Sequence, residues 1–111
     1  MSKWNIEQTE LFEKRFKKLI PKHLHEDVKN QIRKLGDNPF NSKPLGYNFF
    51  REKKIEKWRL YFLVYENILV VYFIDISDKK LQQDTIDRIK SEFDFLKQYI
   101  ENKYDENEDS N

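Results

Sequence analysis

The chain has 111 residues, with 21 Lys or Arg, 20 Asp or Glu and no cysteine. A chain of this length forms a single domain. The lack of cysteine excludes disulfides, thiolate zinc sites and cysteine nucleophiles, and it favours the reducing cytoplasm. Charged residues make up 37% of the chain and aromatic residues 15%. This combination predicts a folded domain with a heavily charged surface, and no apolar run approaches the length of a membrane span.

The charge is unevenly distributed along the chain. Residues 101–111 contain five acids and one Lys, so the acidic end carries −4 and the preceding 100 residues carry +5. The composition of residues 105–111 predicts a disordered tail. The segment 42–59 holds six cations interleaved with aromatic residues, which predicts a phosphate-binding surface, with a solvated lysine-rich hairpin as the alternative. The six cations are Lys43, Arg51, Lys53, Lys54, Lys57 and Arg59.

The first third of the chain predicts a strand followed by a helical hairpin. Period-two spacing indicates a short strand over residues 3–8, and Thr9 is a suitable N-cap for a helix over 10–20. Pro21 interrupts that helix. A second helix then runs to Gly36, a residue that commonly ends helices.

The rest of the chain predicts strands and one long helix. Period-two spacing from Leu45 to Ile55 indicates a single strand that carries Arg51 and Lys53 on one face. Two further apolar strands, 58–65 and 68–76, follow short connections and complete an antiparallel meander. Residues 86, 89, 93, 96 and 100 form a narrow apolar seam on a helix over 79–104. This seam is expected to dock on the sheet, or else on a second copy or a partner.

Several other chemistries are poorly represented. The two glycines exclude a phosphate-binding loop, and His23 and His25 point in different directions on a helix and do not chelate one ion together. Four aspartates near the end of the last strand imitate a magnesium site, but capping of the final helix by Ser77 or Asp78 is the favoured explanation. The four are Asp75, Asp78, Asp84 and Asp87.

The second half of the chain also carries a family resemblance. The relevant stretches are KPLGY at 43–47, FREK at 50–53, WRLYFLVY at 58–65 and SDKK at 77–80 with two glutamines at 82–83. With the element order β, α, α, β, β, β, residues 3 to 90 resemble the RelE/ParE superfamily of toxin–antitoxin toxins, archaeal-type RelE-related toxins in particular. The resemblance implies an α+β domain over residues 1–104, in which an antiparallel sheet packs on the helical hairpin, here extended by a long C-terminal helix.

That family implies a ribosome-dependent endoribonuclease that cuts mRNA without a metal or other cofactor, by attack of a 2′-hydroxyl on the adjacent phosphate. By position, Arg51 and Arg59 match the phosphate clamps, and Lys53 matches a general base whose pKa neighbouring cations would lower. Lys80 matches a third charge stabiliser. No residue matches the family's acid, and Tyr61, on the face of Arg59, is the best substitute. The RNA-binding residues are expected to be Lys43, Lys54, Lys57 and Lys79.

The resemblance further implies a cognate antitoxin and ribosome-bound mRNA as partners, with no membrane or metal. The apolar seam of the C-terminal helix offers a surface for a homodimer. The alternative is a non-catalytic module on the same fold, such as a gyrase-directed ParE-like toxin or a relic that binds only antitoxin or RNA. The trio of Arg51, Lys53 and Arg59 favours the nuclease. The missing acid and the weak overall basicity favour the binding module.

Overall fold

The structure, a computed structural model, describes residues 3–109. Within this range no helix is both long and apolar enough to cross a membrane. Five strands and four α-helices follow one another, with a short 3₁₀ turn at Lys22–Leu24 between the first two helices. They are β1 (Asn5–Gln8), α1 (Glu10–Leu19), α2 (His25–Asp37), β2 (Lys43–Tyr47), β3 (Phe50–Ile55), β4 (Trp58–Tyr65), β5 (Val70–Ser77), α3 (Gln82–Ser91) and α4 (Phe93–Asp109).

The strands form one sheet in the order β1-β5-β4-β3-β2. Strands β2 to β5 are antiparallel neighbours, whereas β1 pairs in parallel with β5. The prediction of an antiparallel sheet was therefore wrong in this respect. The helical hairpin carries the chain from one edge of the sheet to the other, so β1 is left beside the last strand of the meander. Thr9 caps α1 as predicted, because its hydroxyl accepts a hydrogen bond from the backbone N–H of Phe12.

Both faces of the sheet are covered. Leu60, Phe62 and Val64 of β4 pack with α1 and α2 on what we call the hairpin face. The alternate residues of β4 pack with α3 and α4 on the opposite side, the C-terminal face. Strands β4 and β5 are buried along their whole length, as their unbroken apolar sequences predict.

The apolar seam of the C-terminal segment docks on the C-terminal face, so this prediction is confirmed. Its members are Ile86, Ile89, Phe93, Leu96 and Ile100. A homodimer through the seam would require both helices to leave the sheet. The single predicted helix is two helices that meet at Glu92, where the chain turns so that Phe93 packs against Phe49 in the β2–β3 connection. Helix α4 runs to Asp109, and residues 110–111 of the tail lie outside the described residues.

The segment predicted as one strand from 45 to 55 is a hairpin of two. Tyr47 pairs with Phe50 across a two-residue turn at Asn48 and Phe49. Gly46 has a φ of +85° at a register shift between Pro44 and Tyr47, a conformation that favours glycine. As a result, β2 lies at the edge of the sheet and β3 becomes an inner strand.

Asp75 of β5 joins helices from both faces of the sheet. Its carboxylate is buried, lies 2.9 Å from Nε of Arg15 on α1, and also pairs with Arg88 on α3. It accepts a further hydrogen bond from the backbone N–H of Ile76. Burial raises the pKa of Asp75, while that N–H and the two guanidinium groups oppose the rise. With both oxygens in use, this carboxylate holds α1 and α3 to one strand rather than presenting a metal ligand.

Buried tyrosines predict a loss of stability in alkaline solution. Burial raises the pKa values of Tyr61 and Tyr72 to about 12 from an unfolded value of 10.0. Phenols with raised folded pKa values stabilise the fold fully below the unfolded value, and this contribution is lost as the pH rises through the folded value. We expect the free energy of unfolding, measured by denaturant titration, to fall between pH 10.0 and about 12. A free energy of unfolding that stays constant across that window would contradict raised pKa values for the two tyrosines. A fall with pH that is equally steep in Tyr61→Phe and in the wild type would show that Tyr61 does not contribute to it.

Candidate nucleic-acid interface

A cleft of about 520 Å³ lies where β3 extends beyond β2. Strand β2 begins at Lys43 opposite Glu52, so β3 continues for three residues past its neighbour. Side chains from both faces of the sheet reach the cleft around this open edge. Five of the lining residues are cationic and one is acidic, so the cleft attracts anions. The lining consists of Ser42, Lys43, Glu52, Lys53, Lys54, Arg59, Lys79 and Gln82.

Arg59 is the most deeply placed cation of the cleft. It is only 8% exposed, and among the described residues its Nε has no hydrogen-bond acceptor. The nearest carboxylate oxygen, Oε1 of Glu52, lies 3.6 Å away. A guanidinium in such a partly dehydrated position interacts strongly with a phosphate, and its planar fork matches two phosphate oxygens.

The position of Arg59 differs from the prediction. The turn at Glu56 and Lys57 pairs Ile55 with Trp58, which sets Arg59 opposite Lys54. Arg59 therefore lies on the C-terminal face, whereas Lys53 points to the hairpin face. The predicted cluster of Arg59 across from Arg51 and Lys53 on one face was wrong. Lys53 still lines the cleft, because it lies at the open edge and its ammonium reaches the carbonyl of Asn41 at 3.4 Å.

Arg51 is not placed to bind a phosphate. It is 6% exposed, and its guanidinium makes five hydrogen bonds within the chain. Nε and one terminal nitrogen donate to the hydroxyl and carbonyl of Ser42, and the remaining bonds go to Phe40 and Asn48. Every N–H of the group is in use. This corrects the predicted clamp: Arg51 ties the loop before β2 to the β2–β3 turn and so builds one wall of the cleft.

Tyr61 is also unsuited to its predicted role. It pairs with Glu52 beneath α3 and is completely buried. Its hydroxyl donates to Oγ of Ser77 at 2.7 Å, and Ser77 in turn donates to the carbonyl of Asp78. Burial raises the pKa of Tyr61 to about 12, which makes the phenol a weaker acid. We therefore regard it as a packing residue that does not face the cleft.

The structure thus gathers five of the predicted site residues and leaves four apart. The five are Lys43, Lys53, Lys54, Arg59 and Lys79. Besides Arg51 and Tyr61, the cleft lining omits Lys57, which lies over the ring of Trp58 at 4.9 Å, and the exposed Lys80.

Sequence reasoning missed Glu52 as a member of the site, counting it only as an opposing charge. Its carboxylate is 5% exposed and accepts a hydrogen bond of 2.7 Å from Nε2 of Gln82, the first residue of α3. It contacts Arg59 and orients that side chain. The one hint of this role in the sequence is that Glu52 is a single acid between cations on a strand. Its contact with Gln82, 30 residues away, could not be predicted from the neighbouring residues.

The four aspartates near the end of β5 do not assemble a metal site. Among the side chains that the structure describes, those of residues 3–105, no three acids or histidines come together to hold an ion. Asp78 accepts a hydrogen bond from the backbone N–H of Leu81 in the turn before α3, and Asp87 accepts one from Gln83. The predicted cap of the final helix is therefore a cap of the preceding turn, since α3 itself has no side-chain N-cap.

Comparison with known proteins relates the chain to one fold. No protein-family profile and no curated protein matches its sequence. Among solved structures, the E. coli toxin RelE in the free state, a mutant with two arginines replaced by alanine, is 19% identical with a TM-score of 0.64, covering 80% of this chain and 99% of that chain. The archaeal RelE–RelB complex from Pyrococcus horikoshii is 14% identical with a TM-score of 0.59, covering 71% and 97%.

The intact E. coli RelBE toxin–antitoxin complex gives a TM-score of 0.59 at 18% identity, covering 68% of this chain and 95% of that chain. These likenesses establish that the protein has the fold of the RelE toxins, as predicted. In this protein, the fold consists of a mixed five-stranded sheet with the helical hairpin on one face and helices α3 and α4 on the other.

Proposed function

We propose that this protein is the toxin of a toxin–antitoxin pair and that it cuts mRNA on the ribosome, in the cytoplasm. The observation that carries the proposal is the cationic cleft, with buried Arg59 in its lining, at the open edge of a RelE-type sheet. Two of the similar structures are RelE bound to RelB antitoxin, which supports an antitoxin as a partner here.

The proposed reaction is attack of a ribose 2′-hydroxyl on the adjacent phosphate, with departure of the 5′-oxygen of the next nucleotide. Arg59 stabilises the negative charge that develops on the phosphate oxygens, aided by Lys54 opposite it. The hydroxyl proton passes to Glu52, the one carboxylate of the cleft lining, with Lys53 as the alternative acceptor. Lys79, exposed beside the cleft, is the candidate donor of a proton to the leaving oxygen.

The shape and lining of the cleft support the proposed dependence on the ribosome. It is open, and none of its eight lining residues is aromatic, so it offers charge without a pocket for a base. Phosphate contacts alone bind RNA weakly and without sequence preference. A strand that is already held and bent by the ribosome would need only the charge that the cleft supplies.

The toxin assignment is tested by induced expression in a bacterial host. We expect wild-type protein to arrest growth and translation, and Arg59→Ala to accumulate in folded form without arrest. Co-expression of the antitoxin expected to be encoded beside the gene should restore growth. Normal growth at equal levels of folded wild-type protein would contradict the toxin assignment. Arrest with intact mRNA and inhibited gyrase would replace RNA cleavage by the gyrase-directed alternative.

Tyr61→Phe tests whether the phenol takes part in the reaction. The change removes one buried hydrogen bond to Ser77, so we expect a loss of about 1 kcal/mol in the free energy of unfolding. Because Tyr61 does not line the cleft, the rate of mRNA cleavage should change by less than about twofold. Ser77→Ala removes the same bond from the other side and serves as the matched control. A folded Tyr61→Phe protein with a large loss of cleavage would restore Tyr61 as the acid.

A further inference from the structure

Helix α3 runs from the cleft at its start to an aromatic cluster near its end. At its start, Gln82 donates to Glu52 in the cleft. Near its end, the ammonium of Lys90 lies 6.0 Å from the centre of the Tyr47 ring. Eight helical residues span about 12 Å, close to the roughly 13 Å that separates Lys43 from Tyr47 along β2. The cleft and the aromatic cluster therefore lie at opposite ends of α3, and we call the surface between them the strip.

Tyr47 forms an open platform at the far end of this strip. Its side chain is 43% exposed, although the ring is supported on one side by Phe49 at 5.0 Å and by Phe93 at 5.3 Å. Lys90 lies over the ring, but its exposed side chain can swing aside toward a phosphate, which leaves that face of the ring for an unpaired base. The neighbouring Gly46 has no atoms within 4 Å of the position a Cβ would take, so a ligand backbone can approach β2 closely.

We propose that single-stranded RNA leaving the cleft follows this strip, stacks one base on Tyr47 and places a phosphate near Lys90. The inference rests on the proposed function and adds a second subsite to it. A length of about 12 Å corresponds to roughly three nucleotides at the 3.4 Å rise of a stacked strand. The subsite supplies the base contact that the cleft lacks, and the cations at its two ends, Lys43 and Lys90, favour RNA over an apolar peptide.

Steady-state cleavage on ribosomes programmed with a defined mRNA tests the subsite. We expect Tyr47→Ala to raise KM roughly tenfold with little change in kcat. The lost stacking interaction stabilises the bound substrate and the transition state equally. Tyr47→Phe retains a stacking ring and should restore KM, whereas Lys90→Glu should raise it. Tyr99→Ala is the matched control, since Tyr99 is also an exposed tyrosine but lies on α4, away from the strip. Thermal unfolding of each variant checks that the aromatic cluster stays folded.

Photocrosslinking locates the base directly and separates the two proposals. An Arg59→Ala protein is mixed with ribosomes whose mRNA carries 4-thiouridine at single positions around the cut. We expect one position, roughly three nucleotides away, to crosslink to the segment that contains Tyr47. Suppose that the wild-type protein cleaves mRNA, that Tyr47→Ala has the same KM and that no crosslink to the Tyr47 segment forms. This result would overturn the subsite and leave the proposed nuclease activity intact. Absence of wild-type cleavage would overturn both, and loss of antitoxin binding alone in Tyr47→Ala would reassign the surface to protein.

Discussion

Arg59→Ala is expected to reduce the rate of mRNA cleavage by a factor of about 10² to 10³, the usual cost of removing one preorganised group that stabilises transition-state charge. Its guanidinium is held in a partly dehydrated cleft, where interaction with a phosphate is stronger than at the surface. Arg59→Lys keeps the charge but loses the planar fork, so we expect it to recover only part of the rate. The measurement is single-turnover cleavage on programmed ribosomes.

Two controls keep this result interpretable. Arg33→Ala makes the same substitution at an exposed position on α2 and should leave the rate unchanged. Because Arg59→Ala leaves Glu52 with Gln82 as its remaining partner, thermal unfolding should confirm that the variant is folded. A folded Arg59→Ala protein that cleaves at the wild-type rate would remove Arg59 from the mechanism.

Arg51→Met is expected to lower the free energy of unfolding by about 3 kcal/mol, because it removes five hydrogen bonds and leaves carbonyl groups of Phe40, Ser42 and Asn48 without their donor. For a domain of this size, that change lowers the melting temperature by more than about 10 °C. Methionine retains much of the side-chain volume, so the loss reports the hydrogen bonds more than packing.

The same variant separates a positioning role from direct phosphate contact. If Arg51 acts only by holding the wall of the cleft, the variant should lose cleavage because part of the protein is unfolded at the assay temperature. Cleavage should then recover when the protein is assayed well below its melting temperature. Lys53→Met, on the same face of β3 but partly exposed, should cost little stability. An Arg51→Met protein of wild-type stability that does not cleave RNA would restore the predicted phosphate clamp.

Hydropathy patterns predicted most of the fold. The cap at Thr9, the stop near Gly36 and the two buried inner strands follow from local residue preferences and from apolar runs that leave no polar face. The narrow seam of the C-terminal segment correctly indicated docking on the sheet. The parallel position of β1 could not be read in this way, since it depends on where the helical hairpin returns the chain.

The main errors share one physical cause. A two-residue turn pairs residues of opposite parity, as with Ile55 and Trp58, so odd-numbered side chains change face at each turn. Counting odd positions through the chain therefore placed Arg59 beside Arg51, although the two lie on opposite faces. The same period-two count ran unbroken through Asn48 and concealed the β2–β3 turn.

The candidate site was predictable as a cationic region but not in its internal contacts. Five of the predicted lysines and arginines do line one cleft, because they are concentrated in the neighbouring strands β2 to β4 and in the turn after β5. The partners that decide each role come from distant segments. Ser42 and Phe40 occupy the guanidinium of Arg51, and Gln82 holds Glu52 against Arg59. Such long-range hydrogen bonds have no signature in the local sequence.

Primer extension on a reporter mRNA, translated in an extract with purified protein, tests the central claim most directly. A ribosome-free reaction and a message with a 2′-deoxynucleotide at the cut position are run beside it. We expect discrete cuts within codons that require ribosomes, disappear in Arg59→Ala and are blocked by the single 2′-deoxy substitution. Intact mRNA at high protein concentration would contradict cleavage, and efficient cutting of the 2′-deoxy message would contradict attack by the 2′-hydroxyl.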